Sequence, residues 1–180
     1  YYEKNDAGSI GRVSMYYGNF AVWLKAYAYI LSLGRENIGR VGELAVLNAN
    51  YVKESLKGDY RLPINGHCKH ECVFDGLADQ TSGVVTLDVA KRLLDYNMHA
   101  PTIYFPMLFH QSIMIEPTET ESKQTLDDFI RAMKKIAREA KETPELLKEA
   151  PHTTPVRRID EVYAVRQMIL TYKDYSEKQE

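Results

Sequence analysis

The spacing of apolar residues predicts two amphipathic helices in the first third of the chain. Asn19 is a suitable cap for a helix over residues 20–33, and Gly34 ends that helix. A second apolar series steps by three and four residues over 38–56, which places its members on one helical face. Joined by a short link, the two helices form a predicted hairpin over residues 19–58, whose apolar stripes need another surface to cover them.

After the hairpin, short strands alternate with helices. In chain order the predicted elements are strands at 60–64 and 69–74, a helix from 86 to about 97, strands at 102–105 and 112–115, a long helix opening at Ser122 or Thr125, and a short helix at 144–148. A mostly antiparallel sheet with two helices on one face is the economical packing for this order. We therefore expect an α+β domain over 59–150, an arm at 1–18 and an extended tail at 151–180.

Composition and charge narrow the class of protein. The 180 residues are 44% hydrophobic and 27% charged, which is typical of a soluble globular domain with an additional arm. A formal charge of -2 with interspersed signs gives no reason to expect nucleic acid or an anionic membrane as a partner. No apolar run approaches the roughly 20 residues of a membrane span. Two cysteines are too few for a disulfide scaffold, so a cytoplasmic protein is expected. The polar start without methionine suggests a piece of a longer chain.

The densest group of metal-binding residue types lies at 67–72. Cys68, His70 and Cys72 would share one face of a strand. A rigid strand, however, spaces these side chains too far apart to converge on one tetrahedral zinc ion. We expect a half-buried strand with a hydrogen-bonded His70, and no metal site.

Other candidate residues each have a structural alternative. His99 lies between a predicted helix end and a strand start, where loops often present functional side chains, although a lone histidine also serves as a structural hydrogen-bond partner. Arg157 and Arg158 can clamp a substrate carboxylate bidentately, or they can form an ordinary surface or interface pair. The acidic residues before the long helix are more simply explained by a capping box of Thr118 and Glu121.

Six short runs share an order and spacing with one enzyme family. The runs are residues 38–51, which end in AVLNANY, His70-Glu71, and residues 88–96, 99–102, 114–119 and 150–158. In series they resemble the glycine decarboxylases, the P-protein of the glycine cleavage system. The last run is similar to the tail of the two-subunit bacterial form. The resemblance extends from about Ser9 to about Leu170, which is nearly the whole chain.

The resemblance implies an enzyme that removes the carboxylate of glycine on pyridoxal phosphate and passes the aminomethyl group to the lipoyl arm of the H-protein. It implies the aminotransferase-like fold (fold type I), with this chain as the small C-terminal domain of subunit 2 in a heterotetramer with subunit 1. The Schiff-base lysine of the family lies in an upstream His-Lys-Thr segment that this sequence lacks, so the chain alone is expected to be inactive.

The same resemblance implies two site positions. His99 is expected to line the mouth of the active site. Gly18 and Asn19, after Tyr16 and Tyr17, are expected beside the cofactor phosphate of a neighbouring subunit, because glycine permits close backbone approach and a helix N-terminus attracts phosphate. For Asn19 the alternative is a simple helix cap. For the whole chain, the alternative is an independent, non-catalytic α+β binding or scaffold module.

Overall fold

A computed structural model describes residues 7–8 and 18–177 of the chain. The chain divides into two compact units, residues 1–43 and 44–180. Tyr16 and Tyr17 lie outside the described residues. In chain order the elements are α1 Phe20–Asn37, α2 Arg40–Leu56, β1 Cys72–Asp75, α3 Thr86–Asp95, β2 Thr102–Ile103, β3 Ser112–Ile115, α4 Lys123–Glu142, α5 Pro144–Lys148, α6 Glu161–Arg166 and α7 Tyr172–Glu177.

The first helix, α1, begins at the predicted cap and is kinked at Gly34, the predicted end, but continues beyond it to Asn37. The Oδ1 atom of Asn19 accepts hydrogen bonds from the backbone N–H groups of Ala21 (3.1 Å) and Val22 (3.3 Å). Gly34 leaves the helical conformation at φ 71°, which breaks the helix at the expected residue. No residue of α1 is buried, although Lys25 is its only charged residue before Gly34. A helix that is apolar on all sides normally lies inside a larger protein.

The second unit is a small α+β domain built on a three-stranded antiparallel sheet with the strand order β1-β3-β2. Phe74 and Ile103 both pair with Ile113 of the central strand, so the middle of the sheet is apolar. Val52 and Leu56 of α2 are fully buried in the same core, together with the apolar faces of α3 and α4. The expected antiparallel α+β arrangement is confirmed. None of the described helices has the length and apolar content required to cross a lipid bilayer.

The predicted strand at 60–64 is wrong. The backbone of Arg61 exchanges hydrogen bonds with Gly76 (3.0 Å) and Asp75 (2.8 Å), but the pairing is limited to isolated bridges. Pro63 has no N–H group to extend a ladder. Tyr60 is instead a core residue, 1% exposed, and its hydroxyl donates to the carbonyl oxygen of Met133 (2.9 Å).

The structure corrects two further predictions. Helix α4 begins after Ser122, one of the two predicted starts, and the Oγ of Ser122 accepts from the N–H of Thr125 (3.1 Å), so the expected capping box of Thr118 and Glu121 does not start this helix. The tail over 151–180 is not extended throughout, because α6 and α7 lie within it. Asp160 starts α6 by accepting a hydrogen bond from the N–H of Tyr163 (2.8 Å). Both starts depend on a single side-chain oxygen.

A buried carboxylate, Asp95, joins the end of α3 to the chain after α5. Its Oδ1 accepts from the N–H groups of His152 (2.6 Å) and Thr153 (2.8 Å), and its Oδ2 accepts from Arg92 (2.9 Å). Arg92 also binds both carboxylate oxygens of Glu139 on α4 (3.0 and 3.2 Å). Burial raises the pKa of Asp95, but the hydrogen bonds from Thr153, His152 and Arg92 outweigh it and the net pKa is lowered.

Replacing Asp95→Asn should lower the free energy of unfolding at pH 7 by about 2 kcal/mol, because an amide NH2 would face the guanidinium of Arg92 and charge-assisted bonds would be lost. Since the folded pKa of Asp95 is depressed, its contribution is present above the unfolded pKa of about 3.9 and is lost as the pH falls through the folded pKa. Urea unfolding at a series of pH values should therefore show a flatter acid limb for the variant.

Asp128→Asn is the matched control for this measurement. Asp128 pairs with Arg131 within α4 at the surface, where its side chain is 39% exposed. Exposed pairs of this kind contribute roughly 0–1 kcal/mol. An equal loss of stability in both variants would contradict the role assigned to Asp95.

Candidate functional site

A cleft of about 350 Å³ lies where the α3–β2 loop meets the segment after β3 and the first turns of α4. We call it the His99 cleft. Its inner surface is apolar and includes the buried side chains of Val52, Ile115 and Leu126. Its polar lining residues include His99, Glu116, Glu121 and Thr125. An apolar interior with a few convergent polar groups is the usual composition of a small-molecule site.

The position of His99 follows from the way α3 ends. Asn97 adopts φ 55°, a left-handed conformation that asparagine tolerates better than most residues. The N–H of Asn97 bonds to the carbonyl of Leu94 (3.0 Å) and the N–H of Met98 to that of Leu93 (3.1 Å). This pair of bonds is a Schellman motif, and Met98 packs against the core beside it. His99 is thereby held at the cleft, immediately outside the helix end.

Part of the cleft lining comes from the segment over residues 116–121, between β3 and α4, which we call the acidic wall. Within this segment Glu116, Pro117 and Glu121 line the cleft. The carbonyl oxygen of Thr118 accepts two hydrogen bonds, one from the side-chain Nδ2 of Asn48 (2.9 Å) and one from the N–H of Glu121 (3.2 Å). Glu116 lies 4.0 Å from Nε2 of His70, but both side chains are more than half exposed, so this pair contributes little. Asn48 is therefore the direct link from this wall to α2.

The cleft combines a histidine with two carboxyl groups around an apolar floor. Imidazole can donate or accept a hydrogen bond and can hold or release a proton. A ligand that fills the cleft would displace water from the apolar floor, which would strengthen polar contacts made at the rim. The arrangement suits a small polar molecule that enters with its reacting end shielded from solvent.

The structure does not bring the two predicted arginines to this cleft. Arg158 is committed elsewhere: its Nε donates to the carbonyl of Ala150 (2.8 Å), and its Nη2 donates to the Asp88 carboxylate (2.7 Å) and to the carbonyl of Leu147 (3.0 Å). Arg158 thus joins the tail to α3 and α5. Arg157 is exposed and does not line the His99 cleft.

Gly18 and Asn19 lie in the first unit, at the start of α1. Gly18 has φ +89°, so any larger residue there strains the backbone. An added Cβ would lie 3.7 Å from Nε1 of Trp23, which is an ordinary contact distance. The cap bonds of Asn19 already satisfy two N–H groups of α1. The side-chain Nδ2 of Asn19 is an N–H donor, which is the type of group that binds a phosphate oxygen.

The cysteine and histidine cluster at 67–72 is not assembled around a metal. Within residues 7–8 and 18–177, no three His, Cys, Asp or Glu side chains are grouped closely enough to hold an ion. Strand β1 starts only at Cys72, so His70 precedes it and is exposed, contrary to the predicted half-buried strand. Burial raises the pKa of the Cys72 thiol to about 12, which keeps the free thiol protonated at neutral pH.

The sequence pattern did not predict two long-range contacts of α2. Asn48 belongs to the AVLNANY run of the family resemblance, but nothing in that run indicates its partner, which lies 70 residues away. Lys53 is 3% exposed, and its Nζ donates to the carbonyl of Gly66 (2.6 Å). Helical periodicity marks which residues share a face, but it holds no signal for such distant partners.

Comparison with known proteins gives a consistent result. The sequence model of a family described as glycine dehydrogenase, C-terminal domain, matches residues 41–154. The chain is similar to probable glycine dehydrogenase (decarboxylating) subunit 2 of Caldanaerobacter subterraneus subsp. tengcongensis, with 59% identity over 91% of the chain and 34% of the relative. The corresponding proteins of Bacillus velezensis and Staphylococcus haemolyticus are 57% and 51% identical over 92% and 99% of the chain. The chain covers 34% and 36% of these two relatives. It therefore spans about a third of the length of the curated relatives it matches.

Proposed function

Because the chain belongs to the glycine dehydrogenase C-terminal domain family, we propose that the complete protein decarboxylates glycine and transfers the aminomethyl group to the lipoyl arm of the H-protein. In this proposal the chain is the small C-terminal domain of subunit 2, with the aminotransferase-like (type I) fold, and the protein works in the cytoplasm with subunit 1 in a heterotetramer. The observation that carries the proposal is the 59% identity to a glycine dehydrogenase subunit 2 over 91% of the chain.

Pyridoxal phosphate, when bound, would supply the electron sink for the loss of carbon dioxide. The chain contains no His-Lys-Thr segment, so we assign the covalent anchor to another part of the complete protein. Asn19 fits the phosphate end of the cofactor, since its Oδ1 caps α1 while its Nδ2 can donate to a phosphate oxygen. Gly18 would allow that phosphate to approach the backbone.

The His99 cleft is the part of the chain that we place at the active site. His99 would donate a hydrogen bond to the carboxylate of glycine and so orient it. The apolar floor, with Val52 and Leu126, would exclude water from the carboxylate that is lost. Of the two arginines, Arg157 is the one we propose for contact with substrate or a partner, because the guanidinium of Arg158 already holds the tail.

An independent binding or scaffold module is the weaker proposal. Its relatives would be proteins of about this length, whereas the matched proteins are about three times as long and are named as dehydrogenase subunits. Their shared designation as subunit 2 supports a partner subunit 1.

His99→Ala in the assembled complex should lower glycine turnover by more than about tenfold, equivalent to about 1.4 kcal/mol, because the orienting hydrogen bond is lost. Exchange of labelled bicarbonate into glycine, with lipoylated H-protein present, measures this step. His110→Ala is the matched control, since His110 is exposed on the β2–β3 loop and does not line the cleft. Near-normal turnover of the His99 variant with an intact fold would assign His99 to structure.

Asn19→Asp should weaken cofactor retention by about tenfold in the complete enzyme. Aspartate caps a helix as well as asparagine does, so the melting temperature should stay unchanged, whereas its charge repels the phosphate. Dialysis followed by absorbance of the retained cofactor provides the measurement. Unchanged retention with the aspartate in place would show that Asn19 is a helix cap only.

Borohydride reduction of the complete enzyme with bound pyridoxal phosphate should label one lysine, and that lysine should lie outside the 180 residues of this chain. The reason is the missing His-Lys-Thr segment. Peptide mapping by mass spectrometry identifies the labelled residue. A label on Lys25, Lys53 or Lys91 would overturn the assignment of the anchor to another part of the protein.

A further inference from the structure

We infer that Asn48 is a positioning residue of the His99 cleft: its side-chain amide sets the place of the acidic wall. Its effect on turnover rests on the proposed function, whereas its effect on the wall does not. The wall, residues 116–121, contains no helix or strand of its own and needs an external contact to define it. Asn48 supplies that contact through its 2.9 Å bond to the carbonyl of Thr118.

The bonded carbonyl belongs to the middle of this segment, at a residue that does not itself line the cleft. Thr118 lies two residues after Glu116 and three before Glu121, and both of these glutamates line the cleft. The same carbonyl accepts the N–H of Glu121, which closes a turn at this point. Fixing one backbone oxygen therefore constrains the stretch of backbone from which both glutamate side chains extend. Such a bond acts on the cleft without touching anything bound in it.

A second contact on the same side of α2 supports the first. Tyr51 follows Asn48 by three residues, so the two side chains are neighbours on the helix surface. The hydroxyl of Tyr51 donates to the carboxylate of Asp127 (2.5 Å), and Lys123 donates to the same carboxylate (2.7 Å). These bonds hold the first turns of α4, which carry Thr125 into the cleft wall.

The choice of partner separates Asn48 from Asn37. The amide of Asn37 donates to the carbonyl of Leu33 (3.1 Å), one turn back in its helix. Asn50 donates both to the carbonyl of Val46 (2.8 Å), one turn back, and to that of Cys68 (2.8 Å), outside the cleft lining. A bond one turn back is the usual outcome for a polar side chain within a helix. Asn48 instead bonds to a residue 70 positions away, in the wall of the cleft.

The experiment compares Asn48→Asp, Asn48→Gln and the control Asn37→Asp in the complete enzyme. Aspartate keeps the shape of asparagine but has no N–H to donate, whereas glutamine keeps the donor. Asn37→Asp removes the same type of bond within α1 alone. Amide hydrogen exchange of peptides covering residues 116–121 reports the order of the wall, and glycine turnover reports its consequence.

Asn48→Asp should speed exchange in the wall by about tenfold and lower kcat by about fivefold with little change in KM. Asn48→Gln should recover at least about half of the lost rate. The double variant Asn48→Asp/His99→Ala should lose no more turnover in total than His99→Ala alone, because both changes act on one arrangement. Asn37→Asp should change neither readout.

Unchanged exchange in the wall of Asn48→Asp would overturn the inference, as would losses that simply multiply in the double variant. If Asn48 had only a structural role, the losses would multiply in the double variant, and Asn48→Gln would recover none of the lost turnover. If the unaltered complex does not decarboxylate glycine, the proposed function fails. The exchange comparison then still decides whether Asn48 positions the wall.

Discussion

The carboxylate of Asp95 is the interaction on which the second unit most depends. It is 3% exposed and joins the end of α3 to the chain that follows α5, while Arg92 carries the connection on to Glu139 of α4. A buried carboxylate is tolerated only when such bonds replace its hydration. Because these bonds fix the last turn of α3, they also fix the Schellman end that places His99.

Three separate parts of the chain determine the geometry of the cleft. Asp95 and Asn97 determine where His99 enters the cleft lining. The end of the central strand β3 determines where the acidic wall begins. Helix α2 completes the arrangement, because Val52 lies in the floor and Asn48 bonds to the acidic wall. The parts of such a site that lie on helices and a strand are rigid. The part that is held by a single side-chain bond can adjust its position.

Local signals in the sequence determined most of the secondary structure. Apolar spacing predicted α2, α3, β3 and α4 with small errors at their ends, and the residue types at caps predicted the start of α1 at Asn19 and of α5 at Pro144. The antiparallel α+β class followed from the order of these elements. His99 was also identified from sequence as a loop residue beside a strand, and the structure places it in the cleft. Periodicity and capping act within a few residues, so a single sequence records them directly.

Tertiary structure alone decided the long-range partners. Sequence could not show that Tyr60 belongs to the core instead of a strand, because its hydroxyl bonds to Met133, 73 residues away. Nor could it show that Arg158 is committed to the tail, or that Asn48 reaches the wall of the cleft. Each of these roles depends on which distant backbone oxygen comes within hydrogen-bond distance. That distance is set by the packing of the whole domain, and the spacing of residues along the chain does not predict it.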